Sequence, residues 1–164
     1  MIRLKTILVA TDFGESSDAA LAYGRDLARR FDATLHVLHI VRNVYAQFGT
    51  EGYVGVLPDL QHDVEDAART RLEALLSEED RTALHATPVV LTSGATALAI
   101  VDYANEAKID LIIKVTHGRG AVAHMLMGSV AERVVRTAPC PVLTVRHPER
   151  EFVLPDALVA VARA

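Results

Sequence analysis

The sequence has no tryptophan, one cysteine and few aromatic residues, with four tyrosines and four phenylalanines in 164 positions. Each shortage narrows what the chain can be. The single cysteine, Cys140, excludes an internal disulfide, and its place between Pro139 and Pro141 reads as packing at the start of a strand, not as a nucleophile. A reducing cytoplasm fits that usage. No stretch approaches the ~20 consecutive apolar residues of a membrane-spanning helix, so no membrane partner is expected. The opening MIRLKTILVATDF reaches Asp12 too soon to contain the apolar region of a secretory signal. Basic charge is not in surplus either. Seventeen Lys and Arg stand against 21 Asp and Glu, scattered and net −4, which leaves no electrostatic footprint for nucleic acid.

What is present is a chain long enough for one core, with 51% apolar residues, so folding needs neither metal nor disulfide. Short β-branched runs alternate with helical periodicity. Strands are expected at 7–10, 34–41, 87–92, 111–115 and 142–145. Helices are expected at 17–31, 58–76 and 95–108, with a further one starting at Ser129. Their inward faces read as Ala20, Leu21, Gly24, Leu27, Ala28 and Phe31; then Val64, Ala67, Ala68, Leu72 and Leu75; then Leu98, Ile100, Val101 and Ala104; then Val130, Val134 and Val135. Such alternation implies a parallel or nearly parallel α/β sheet in a single domain, residues 1–147. Residues 42–57, with Tyr45, Phe48 and Tyr53, form a long connection that reads equally as a lid, a surface excursion or a dimer contact. The tail, 148–164, is read either as a short docking helix from Asp156 or as disorder.

Chemistry concentrates between Asp110 and Arg146. A strand runs into Thr116-His117-Gly118-Arg119-Gly120, and Gly128-Ser129 follows, with Ser129 and Glu132 spaced as a capping box. Glycine-freed N–H groups beside the positive end of a helix form a site for a phosphate-like anion, and Arg119 can add a guanidinium. The histidines carry less. His117 and His124 have no neighbouring acid in sequence, and His36 and His39, three apart on a strand, point to opposite faces. Lys114 stands at the carboxyl edge of a strand, where a lysine must snorkel or find an anion.

This stretch resembles the universal stress protein family, whose nucleotide-binding members carry Gly-x2-Gly-x9-Gly-[Ser/Thr]. The flanking AERVVRTAPCPVLTVR is similar to that family's closing helix and strand, and KTILVATD to its first strand. The resemblance implies an open, doubly wound five-stranded parallel sheet of order 3-2-1-4-5, helices on both faces, and a ligand between strands one and four. Residue by residue, it implies ribose or bound-metal contacts from Ala10, Thr11 and Asp12, with Mg as the ion, and an adenine contact from the main chain of Ile40. Gly118, Gly128, Ser129 and Val130 match the phosphate cradle. ATP is the implied ligand, and a homodimer through residues 142–146 the implied assembly.

The chain departs from the pattern at one glycine. The motif's first position holds Val115, preceded by Lys114, and a β-branched residue there would keep a ligand off the backbone, so Val115→Gly should tighten binding. Two further functions therefore stand beside the nucleotide-binding regulator. One is a nucleotide-free protein acting through protein contacts. The other is an enzyme on a phosphorylated small molecule, using Lys114 and Arg119. No hydrolytic constellation is visible in the sequence, so any turnover is expected to be slow.

Overall fold

A computed structural model describes residues 2–45, 57–116 and 127–146. Gly118, Arg119, His117 and His124, most of the 42–57 connection and the 148–164 tail lie outside the described residues. The described elements are, in order, β1 (Thr6–Thr11), α1 (Glu15–Phe31), β2 (Thr34–Val41), α2 (Leu57–Leu75) and α3 (Glu78–Ala83). They continue with β3 (Thr87–Thr92), α4 (Thr96–Glu106), β4 (Leu111–Val115), α5 (Ser129–Thr137) and β5 (Val142–Val145). The strands form one sheet, β3-β2-β1-β4-β5, and every neighbouring pair is parallel. This is the expected 3-2-1-4-5 order.

The sheet is buried on both faces because its central strands are apolar on both, apart from terminal threonines and from His36, His39 and Lys114. Along β1, Ile7 and Val9 enter a core with Leu35, Val37, Ile113 and Val115, beneath α1 and α2. Leu8 and Ala10 enter a second core with Leu38, Ile100, Ile112 and Val134, beneath α4 and α5. Alternation of side chains along a strand produces this division, and each fully buried Ile or Leu contributes roughly 1.5–3 kcal/mol. Helix α1 sits close to the sheet at Gly24, where an added Cβ would run into Val9 Cγ2.

Several inward faces are narrower than the periodicity implied. Phe31, Val64, Leu98 and Val135 are exposed, as is Ala67, because a flat sheet touches a helix along one line and leaves the flanks of an apolar arc in water. One helix, α3, has no counterpart in the sequence reading. Ser77 caps it through a reciprocal box: Ser77 Oγ accepts from Asp80 N at 3.1 Å, and Asp80 Oδ2 accepts from Ser77 N at 2.9 Å. Asp80 also takes two bonds from the Arg25 guanidinium, at 2.9 and 2.7 Å, which ties α3 to α1.

Candidate functional site

Strand β1 leads into α1 on one face of the sheet, while the chain after β4 returns as α5 on the other. Neighbouring strands whose connections part in this way leave a crevice outside their carboxyl ends. The sheet order puts that point between β1 and β4.

Asp12 follows β1 at the crevice and is held from two sides. Its Oδ1 accepts from the Ser17 hydroxyl at 2.6 Å and from Gly14 N at 3.0 Å, while Asp12 N donates to Ser17 Oγ at 3.3 Å. The carboxylate thus folds its own loop over the start of α1, whose N-cap is Gly14. Phe13 takes φ 60°, a left-handed conformation costly for an aromatic residue. Its N–H donates to Thr11 Oγ1 at 3.0 Å, its carbonyl accepts from Arg71 at 3.1 Å, and the Arg71 guanidinium lies 4.6 Å from its ring centroid. His39 completes the support, with its ring centroid 4.2 Å from that of Phe13 and Nδ1 donating to the Thr11 carbonyl at 2.9 Å.

Arg71 carried no sequence signal, since it acts across 58 positions from the middle of a charged helix. His39 was visible only as a histidine. Its partner His36 points to the other face, as expected for residues three apart on a strand, and bonds Tyr103 of α4 at 2.7 Å.

At the edge of β4 the two residues that leave the family pattern part company. Val115 is 1% exposed and packs in the core beneath α1. Its φ is not positive, so nothing in the backbone there demands glycine. Alternation sends its side chain to the face opposite Ala10 and Ile40. Lys114, one residue earlier, projects to the Ala10 and Ile112 face and is partly buried. Burial lowers its pKa from the ordinary lysine value, and the Asp12 carboxylate acts in the opposite direction.

The start of α5 is tied to the same edge, since Gly128 N donates to the Thr116 carbonyl at 2.8 Å. Gly128 is the N-cap, with no side-chain cap bond. The expected capping box is therefore absent: Ser129 is already the first helical residue and is exposed, one position too late to cap. Val130 packs on the core beneath α5, as Ile40 does from β2. The structure thus gathers Ala10, Asp12, Ile40, Lys114, Gly128, Ser129 and Val130 along the carboxyl edge, and turns Thr11 and Val115 to the α1 face.

A resident divalent ion fits this donor set poorly. Among the described residues no group of three or more His, Cys, Asp or Glu side chains could hold one. Asp12 Oδ1 is spoken for by Ser17 and Gly14, and the Lys114 cation acts on the same carboxylate.

A parallel sheet of this order, with its crevice between β1 and β4, defines a doubly wound α/β protein of the kind that takes ligands at its switch point. The family model described as "Universal stress protein family" matches residues 3–146. The chain belongs to the universal stress protein family. It is 30% identical over 148 residues to a universal stress protein of Methanocaldococcus jannaschii, covering 90% of this chain and 85% of that protein. With one of Thermus aquaticus it shares 34% over 142 residues, 87% of this chain and 98% of the other. Among solved structures, UspA of Lactobacillus plantarum superposes with a TM-score of 0.73 at 27% identity, over 89% of this chain and 100% of that one. Two more distant structures of the fold contain ligands. One is a universal stress protein in complex with cAMP, TM-score 0.57 at 23% identity, over 88% of this chain and 98% of that one. The other, from Archaeoglobus fulgidus, is in complex with dAMP, TM-score 0.52 at 19% identity, with the same coverage of 88% and 98%. No helix among the described residues is long and apolar enough to cross a membrane.

Proposed function

We propose that the chain binds an adenine nucleotide, ATP among the candidates, in the crevice at the carboxyl ends of β1 and β4, and serves as a regulatory stress protein. The observation that carries this reading is the meeting of Asp12, Lys114 and the start of α5 at the switch point, from opposite ends of the sequence. Each supplies a group that a nucleotide uses. Ala10 and Ile40 offer an apolar floor to a base, Asp12 a carboxylate that accepts from ribose hydroxyls, and the first turn of α5 a set of N–H groups for phosphate. The cAMP and dAMP complexes of proteins with this fold support the same ligand class. The assembly we favour is a homodimer through β5, which lies at the edge of the sheet, in a reducing cytoplasm that suits the free Cys140.

Calorimetric titration with AMP and ATP, against GTP as control, tests the ligand class. Asp12→Asn keeps an acceptor for Ser17 and Gly14 while removing the charge, and should weaken binding about tenfold without unfolding the loop. Absence of heat with every adenine nucleotide would overturn the reading.

A further inference from the structure

We propose that Lys114 makes this crevice a site for a metal-free nucleotide anion, its ammonium taking the place beside Asp12 that a divalent ion would otherwise occupy. The inference rests on the nucleotide reading above and concerns which ionic form of the nucleotide enters.

The argument begins with register. Ile7, Leu8 and Val9 of β1 lie opposite Leu111, Ile112 and Ile113 of β4, so continuing the pairing sets Lys114 beside Ala10. Ala10 and Ile112 belong to the core beneath α4 and α5, and strand alternation puts Lys114 on that face with them. Asp12 follows Ala10 by two residues at the end of the same strand, and its charge reaches Lys114. On its other side Lys114 lies opposite Thr144 of β5, a neighbour without charge. The register therefore puts Lys114 at the carboxyl edge of the central pair of strands, on the sheet face that α5 covers, with the Asp12 loop following the neighbouring strand.

A cation in that position has two consequences. It attracts the phosphate charge of a free nucleotide, and the attraction grows as the crevice loses water. It also repels a second cation that seeks the Asp12 carboxylate, and so disfavours a nucleotide whose phosphates carry Mg2+. An apolar side chain would do neither. Desolvation makes a lysine a poor choice for a strand edge facing a core, and an anion entering the crevice would offset that cost. Asp12 by itself gives that ammonium a single carboxylate, already bonded to Ser17 and Gly14.

The test compares ATP binding to the full-length protein by calorimetry in EDTA and in millimolar MgCl2, at matched ionic strength, for the parent and for Lys114→Met. In the parent, affinity should be at least about fivefold higher in EDTA, a difference that two like charges a few ångströms apart readily produce. Lys114→Met should weaken binding in EDTA and bring the EDTA-to-magnesium ratio to one or below. Because the variant could alter packing, the parent's own ratio is a sufficient test by itself. Equal or tighter binding by the parent in MgCl2 overturns the inference while leaving the nucleotide reading intact, and so does a ratio that Lys114→Met leaves unchanged. Absence of ATP binding under both conditions overturns the nucleotide reading, and this inference with it.

Discussion

Lys114 and Val115 are adjacent, yet they act on different faces and respond to mutation in opposite senses. Burial depresses the pKa of Lys114 in the folded chain, although Asp12 pulls it up. The folded state therefore favours the neutral amine more than the unfolded chain does. Stability from this residue is present only above the unfolded lysine value, near 10.4, and is lost as pH falls through the lowered folded value. At neutral pH the lysine is a net cost, and Lys114→Met should raise the melting temperature of the ligand-free protein while weakening nucleotide binding. That pairing marks a residue kept for a ligand; a variant that melted lower would deny it. Val115→Gly should do the reverse. Emptying a fully buried position and adding backbone freedom to a strand should cost about 3 kcal/mol in urea denaturation, with nucleotide affinity unchanged. Tighter binding by Val115→Gly would mean that the valine does face the ligand.

Among the elements, the short α3 depends on its surroundings more than on its own six residues. Asp80 is 1% exposed, and burial pushes its pKa up, but bonds from Arg25 and from Ser77 outweigh that and leave it below the ordinary carboxylate value. Its contribution to stability is thus present above the unfolded value near 3.9 and fades as pH falls through the depressed folded value. Asp80→Asn removes half of a paired, buried charge and weakens the cap, and should cost about 3 kcal/mol at neutral pH, with the difference from the parent shrinking in acid. Chemical denaturation at pH 7 and pH 3 measures both; a pH-independent loss would show that packing, not charge, is what the aspartate supplies. The loop after β1 follows a similar logic. Phe13 stays at φ 60° because Thr11, His39 and Arg71 of α2 all hold it, so the shape of the Asp12 loop is decided partly by a helix remote in sequence.

For the whole molecule, the sheet leaves β3 and β5 at its two edges. Thr87 and Thr92 are exposed on β3, and Pro88 removes one donor from it, features that discourage pairing with another strand. On β5, Val142, Leu143 and Thr144 are only partly buried within the chain, and the strand carries no such device. The dimer proposed above should use this edge. Light scattering at tens of micromolar, an order-of-magnitude working concentration, should report two chains, and Leu143→Lys should give one. A monomeric parent would assign the β5 edge to other cover.

The sequence by itself determined the strands, the parallel sheet and the family, because buried parallel strands are apolar on both faces and so print themselves as short apolar runs such as Ile7–Ala10 and Leu111–Ile113. It also named the edge residues Asp12, Lys114 and Gly128, since glycines and charges at strand ends stand out against such runs. Only the tertiary structure decided which face each one serves. A strand sends neighbours to opposite sides, so placing Lys114 with Ala10 and Val115 under α1 required the register with β1. The absence of a side-chain cap at Gly128, the capped α3 and the hold of Arg71 on Phe13 were settled there too. Each depends on hydrogen bonds or charges between segments that local sequence does not bring together, and that only the folded sheet sets within reach.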